Sequence, residues 1–179
     1  MASSYVHDGL TVTGGEVRDA SAIGTRIIEL LTARHHRIAV AESLTGGLLV
    51  AALIRTPGAS AAVSGGVVAY NTELKHTLLG VNAELLALHG AVHPNVAAQM
   101  AAGVRERLAV AGEPAHIGIS TTGVAGPDPQ DGQDVGTVFL GFAIGSDVRT
   151  KRLRLSGTRE AIRSAVVYES LSELENLLA

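Results

Sequence analysis

The sequence predicts an α/β fold: a single-domain three-layer α/β/α body around a mixed, mostly parallel sheet. Three observations lead there. Stretches with helical and with strand character alternate along most of the chain. Several strands are short, continuous apolar runs, the pattern expected when helices cover both faces of a sheet. Near the end, two strands follow each other directly across Gly145-Ser146-Asp147, which predicts a hairpin and makes the sheet mixed.

The elements follow in order. Residues 1–18 show no clear period and carry Gly9, Gly14 and Gly15. They are read as a flexible N-terminal head with room for a short strand, and 19–179 as the single domain. From Asp19 to Arg34, Ile23, Ile27, Leu30 and Leu31 recur at helical spacing. Arg37 to Ala41 reads as a buried strand. Gly46 to Arg55 reads as a helix closed by Thr56-Pro57-Gly58. Ser64 to Tyr70 is a second strand. Asn71 or Thr72 caps a short helix through Leu79, stopped by Gly80, and Asn82 caps another that ends at Gly90. Pro94 suits the first turn of a helix reaching about Leu108. Ala115 to Thr121 is an apolar strand, followed by a Gly/Pro/Asp loop over 123–135. The strands Gly136–Ile144 and Val148–Leu155 come next. Thr158 then caps a last helix with Ile162, Val166, Leu171, Leu174 and Leu178 along one stripe.

Composition narrows the function. At 179 residues the chain is long enough for one well-buried core. Aromatics are only 3% and the net charge is −3, which leaves little for stacking bases or gripping a polyanion, so no nucleic-acid partner is expected. There is no cysteine, which excludes disulfides and thiol chemistry and fits a cytoplasmic protein. No apolar run reaches ~18 residues and no basic region precedes an apolar one, so neither membrane span nor signal peptide is expected.

The densest chemistry lies in AVAESLTGGLL, Ala39 to Leu49. It sits where a buried strand ends and a helix begins. In open α/β sheets, ligands gather at the carboxyl ends of strands. A helix N-terminus also offers free N–H groups and partial positive charge. Gly46 and Gly47 would let a ligand approach the backbone, with Glu42 and Thr45 beside them. Ser43 there has two uses, a nucleophile with an oxyanion site alongside or a helix cap, and on spacing alone the cap is commoner. Glu42 has its own plain use as a solvated or cap-bonded carboxylate.

A serine nucleophile needs a base. None of the seven histidines falls in a Ser-His-Asp pattern, and G-x-S-x-G is absent. The other candidate is Lys75 in AYNTELKH, about one turn into the helix that follows the second strand, with Tyr70 at the strand's end to orient it or relay a proton. At an ordinary pKa near 10.4, only about one lysine in a few thousand is neutral at pH 7. A useful base would need burial or a neighbouring cation. Taken alone, this stretch reads first as a solvated lysine on an amphipathic helix.

AESLTGG, GGVVAYNTELK, HGAV, TTGVAGP, VGTV and GTREAIR follow one another in the order and spacing of the CinA C-terminal domain family, which the chain resembles from about residue 20 to its end. That family includes nicotinamide-nucleotide amidases. The resemblance implies that Ser43 is the nucleophile and that Tyr70 and Lys75 complete the catalytic group. It brings Thr122, Gly123, Gly126 and Pro127 to the site. The implied reaction converts nicotinamide mononucleotide to nicotinate mononucleotide and ammonia, with no metal and no cofactor. The alternative is a non-catalytic nucleotide-binding or competence/damage-linked partner-binding protein on the same scaffold. Longer relatives add a domain linked to nucleotide pyrophosphatase chemistry; the chain is too short to hold it, and that activity is not carried over. Three departures stand out: Thr72 where Asn is common, His93-Pro94-Asn95 where a Ser-Glu-Glu-like run is common, and Gln133-Asp134 where Lys-Pro is common.

The remaining constellations are weaker. Asp128, Asp131 and Asp134 around Gly132 lack calcium-loop spacing, and Phe139 stands where a bidentate Glu is needed. Arg149, Lys151, Arg152 and Arg154 form a basic strand, read as an exposed sheet edge. Arg159 and Arg163 share a helix face, either as a phosphate clamp or as partners of Glu160 and solvent. The expected partner is a small nucleotide substrate, and the Ala-rich helices and the resemblance favour a homo-oligomer.

Overall fold

A computed structural model describes residues 6–12 and 20–179. In chain order the elements are β1 (Val6–Val12), α1 (Ser21–Ala33), β2 (Ile38–Glu42), α2 (Leu48–Ile54), a 3-10 turn at Ala59–Ala61, β3 (Val63–Val68), α3 (Thr72–Thr77), α4 (Ala83–His89), α5 (Pro94–Arg107), β4 (Ile117–Gly123), β5 (Thr137–Ile144), β6 (Asp147–Leu155) and α6 (Arg159–Leu178). The expected flexible head lies outside the described residues except for 6–12, which form β1.

The sheet order is β1-β6-β5-β4-β2-β3. β1/β6, β2/β3 and β2/β4 pair parallel; β4/β5 and β5/β6 pair antiparallel. One strand, β5, therefore runs against the rest, as the mixed, mostly parallel expectation requires. Among the described strands β6 is not an edge, because β1 covers it; this corrects the edge-strand reading. Three of its four basic residues have local partners. Lys151 pairs with Glu173 at 2.8 Å, Arg149 with Asp147 at 2.6 Å, and Arg152 lies over the Phe139 ring.

Strand alternation divides the core. Ile38 and Val40 of β2 point to one face, with Ile117 and Ile119 of β4, and meet α1, α2 and α6 through Ile27, Leu31, Leu49, Leu53, Val166 and Leu171. Ala39 and Ala41 point to the other, under Val96, Met100 and Val104 of α5. Small residues on that face let α5 lie directly on the sheet. A Cβ on Gly118 would strike the Ala101 carbonyl of α5, and one on Gly141 the Ala97 carbonyl. No helix among the described residues is long and apolar enough to cross a membrane.

The caps explain where the helices near the cleft begin. Asn71 Oδ1 accepts the Glu73 N–H at 2.9 Å, Asn82 Oδ1 accepts that of Leu85 at 2.9 Å, and Thr158 Oγ1 accepts that of Ala161 at 3.2 Å. His93 does the same for α5: its Nδ1 accepts the Asn95 N–H at 3.2 Å. Histidine thus fills the capping role that a serine would serve there.

Candidate active site

β3, β2 and β4 lie side by side and parallel, so their carboxyl ends reach the same edge of the sheet in register: Glu42 pairs with Val68 on one side and Thr121 on the other. The residues just beyond, Ser43, Tyr70 and Thr122, meet in a cleft of about 380 Å³. Leu44, Ala91, Val92, Gly123, Gly126, Asp128, Gln130 and Arg159 are among the other residues that line it.

Lys75 enters from behind Ser43. Its side chain is 1% exposed, and Nζ donates to Ser43 Oγ at 3.1 Å, to the Ala69 carbonyl at 2.7 Å and to the Tyr70 carbonyl at 3.5 Å. Burial lowers its pKa from the usual 10.5 to about 8; Asp131 opposes that fall through its negative charge. The neutral fraction at pH 7 thereby rises from about one in three thousand to about one in ten. Three acceptors meet the three N–H groups of the charged amine, and the same contacts serve the neutral form. Two carbonyls take its two N–H groups, which leaves the lone pair for the Ser43 hydroxyl proton.

Glu42, Gly46 and Gly47 do something other than cradle a ligand. The Glu42 carboxylate is fully buried and accepts the N–H groups of Gly47 at 2.9 Å, Leu49 at 3.0 Å and Val50 at 2.8 Å. The start of α2 is thus closed by the chain's own carboxylate, the cap-bonded use of Glu42. Gly46 and Gly47 hold φ of 61° and 99°, which favour glycine. They make the turn that sends the chain from β2 into α2, and they do not line the cleft. The Gly46 N–H goes to the Ser43 carbonyl at 3.2 Å and the Ser43 N–H to the Thr121 carbonyl at 3.0 Å. The Leu44 and Thr45 N–H groups, next to Ser43, find no acceptor among the described residues.

Three consecutive buried hydroxyls on β4 are each committed. Ser120 Oγ donates to the Ala97 carbonyl at 2.7 Å, Thr121 and Thr45 share a hydrogen bond at 2.8 Å, and Thr122 Oγ1 donates to the Ala91 carbonyl at 2.7 Å. Thr45 thus fixes the Ser43 turn from within rather than touching the cleft. Gly123 lines the cleft, but a Cβ there would lie 2.7 Å from the Thr137 carbonyl oxygen. Its missing side chain serves the close approach of β5.

The two arginines separate. Arg159 lines the cleft and donates to the Gly126 carbonyl at 2.7 Å and to the Tyr70 hydroxyl at 3.0 Å. Arg163 is turned away, donating to the Leu44 and Thr45 carbonyls at 3.0 and 2.9 Å and to Glu160 at 2.9 Å. It braces the serine turn and is no half of a clamp. Tyr70 also departs from expectation. Its side chain is 60% exposed and its hydroxyl faces Arg159; only its main-chain carbonyl approaches Lys75. Ala91-Val92 and Thr121 escaped the sequence reading. The signals were present in HGAV, and in three hydroxyls inside a strand that needed partners once buried.

A serine backed by a buried lysine, at the carboxyl ends of parallel strands in a three-layer α/β/α body, defines the class of protein. The chain belongs to the CinA C-terminal domain family, whose model matches residues 20–178. It is 47% identical over 171 residues to a CinA-like protein of Frankia casuarinae, covering 96% of this chain and 38% of that protein. It is 45% identical over 145 residues to a CinA-like protein of Gemmatimonas aurantiaca, covering 79% and 32%. The chain therefore spans less than two fifths of the length of either relative. Among solved structures, it resembles a CinA superfamily protein from Klebsiella pneumoniae (TM-score 0.83, 35% identity, 90% of this chain and 98% of that one). It also resembles a competence/damage inducible protein from Agrobacterium tumefaciens (TM-score 0.82, 34% identity, 89% and 96%).

Proposed function

We propose that the chain is an amidohydrolase that deamidates nicotinamide mononucleotide to nicotinate mononucleotide and ammonia, without metal or cofactor. The observation that carries this reading is the 3.1 Å contact between Lys75 Nζ and Ser43 Oγ, made by a lysine whose pKa burial has lowered to about 8. Ser43 Oγ attacks the carboxamide carbon as neutral Lys75 takes its proton. The C–N bond then breaks, and Lys75 returns the proton to the departing ammonia. Water next attacks the acyl-serine, losing a proton to Lys75, which passes it back to Ser43 as the acyl group leaves. The Leu44 N–H, on the cleft wall beside Ser43, is the donor we assign to the oxyanion, in place of the capped start of α2. Arg159, held by Tyr70 and Gly126, supplies the cleft's guanidinium for the substrate phosphate.

The proposal extends to location and assembly. A cytoplasmic site is supported by the absence of cysteine. A homo-oligomer is supported by Val68, Leu74 and Leu78, each at least 36% exposed beside the edge strand β3; light scattering at micromolar concentration tests it.

The deciding experiment is ammonia release from nicotinamide mononucleotide by the purified protein, with Ser43→Ala as control. Release that disappears in the variant supports the reading. No release, with nucleotide binding intact, replaces it with the non-catalytic alternative.

A further inference from the structure

The segment between β4 and β5 carries a small hairpin. Gln130 and Gln133 bridge each other, and between them Asp131 and Gly132 both take positive φ, 53° and 71°. That is the backbone an Asp-Gly two-residue turn adopts. The turn projects the Asp131 carboxylate onto the α4–α5 connection, where Oδ2 accepts the Ala91 N–H at 2.7 Å. Gly90 is shaped to receive it: its φ is 70°, and a Cβ there would collide with the Asp131 carboxylate. The Ala91 carbonyl is held from the other side by Thr122 Oγ1 at 2.7 Å. One residue of the cleft wall is thus gripped at both its carbonyl and its N–H, by β4 and by the loop that leaves it.

Both sides of that grip face the cleft. Ala91 and Val92 line it from the α4–α5 connection, and Asp128 and Gln130 from the loop. We propose that Asp131 is a positioning residue, whose carboxylate latches the 126–135 loop onto Ala91 at the wall of the cleft. The latch sets the width of the slot in which a flat aromatic amide lies beside Ser43; this assignment of the occupant rests on the proposed function.

Asp131 acts through other groups and needs no contact with the reacting atoms. Its charge opposes the effect of burial on Lys75. The other titratable groups nearby are Asp128, Tyr70 and Arg159 on the cleft wall, Glu73 and His76 on α3, and the stacked His89 and His93 flanking Gly90. Arg159 and His76 are already engaged, with the Gly126 and Val81 carbonyls respectively.

Two variants divide the roles. Asp131→Asn removes the charge but keeps an oxygen that accepts the Ala91 N–H; Asp131→Ala removes both. Hydrogen exchange at the Ala91 amide is expected to rise tenfold or more in Asp131→Ala and to change little in Asp131→Asn. Calorimetry with nicotinamide mononucleotide on a Ser43→Ala background should show affinity about tenfold weaker in Asp131→Ala, the scale of one lost charge-assisted hydrogen bond. Unchanged Ala91 exchange in Asp131→Ala, or equal loss of affinity in the two variants, overturns the latch. If the wild type releases no ammonia, the proposed function fails, while amide exchange at Ala91 still decides the latch.

Discussion

Lys75→Met converts the buried amine into a measurable quantity. The folded protein holds Lys75 at a pKa of about 8, whereas the unfolded chain holds it at the ordinary 10.5. Below pH 8 both states carry the proton, and the folded state bears the full cost of a buried charge. Between 8 and 10.5 the unfolded chain keeps a proton that the folded protein has lost, so wild-type stability rises with pH through that window. At 1.36 kcal/mol per pH unit, the full cost is about 3 kcal/mol, still about 3 at pH 7, about 2 at pH 9 and below about 1 at pH 10. Methionine has a similar reach and no charge, so the variant lacks this dependence. It also loses the hydrogen bonds to the Ala69 carbonyl and Ser43 Oγ, an offset that does not vary with Lys75 ionisation. Urea unfolding of both proteins at pH 7, 8, 9 and 10 isolates the effect, because the other groups titrate alike in each. The stability difference, variant minus wild type, should fall by about 2 to 3 kcal/mol from pH 7 to pH 10. Parallel curves would show that burial does not suppress the Lys75 charge, and would remove the physical basis for a lysine base.

Lys75→Arg keeps a positive charge but stays protonated, so steady-state ammonia release should show kcat down by about 10²–10⁴-fold with binding far less affected. Near-normal kcat would exclude Lys75 as base. Adding Lys75→Ala to Ser43→Ala should cost little more than Ser43→Ala alone, since the pair acts as a unit. Glu42→Gln replaces one of two accepting oxygens with an amide that donates toward the start of α2. A loss of roughly 2 kcal/mol in urea unfolding is expected, and unchanged stability would refute the capping role. Gly118→Ala sets a methyl against the Ala101 carbonyl, so thermal unfolding should show a loss of about 1–3 kcal/mol. A neutral result would mean α5 lies farther from the sheet than described.

What the sequence determined by itself was mostly local. Periodicity and caps placed α1, α3, α4, α5 and α6 within a few residues, because a helix is specified by side chains three and four positions apart and by the residue that closes its first turn. Apolar runs placed the buried strands, and Gly145-Ser146-Asp147 the hairpin. Ser43 and Lys75 were readable as junction residues, and as a pair only through the family resemblance, since 32 positions separate them. Tertiary structure alone decided what each group near Ser43 touches. Glu42 turned from a ligand contact into a cap because the geometry of the β2–α2 turn aims its carboxylate back at three N–H groups. Arg159 and Arg163 are four apart on one helix, yet only one faces the cleft, because the other is used up on the Leu44 and Thr45 carbonyls. Tyr70 lies next to Lys75's hydrogen-bonding partner Ala69, yet sends its hydroxyl outward to Arg159. β6 became an interior strand only by pairing with β1, some 140 residues away in sequence. These outcomes depend on partners brought together by the sheet order. A side chain's chemistry is written in its own residue, but its hydrogen-bond partner, burial and charge state are set by whatever the fold packs against it.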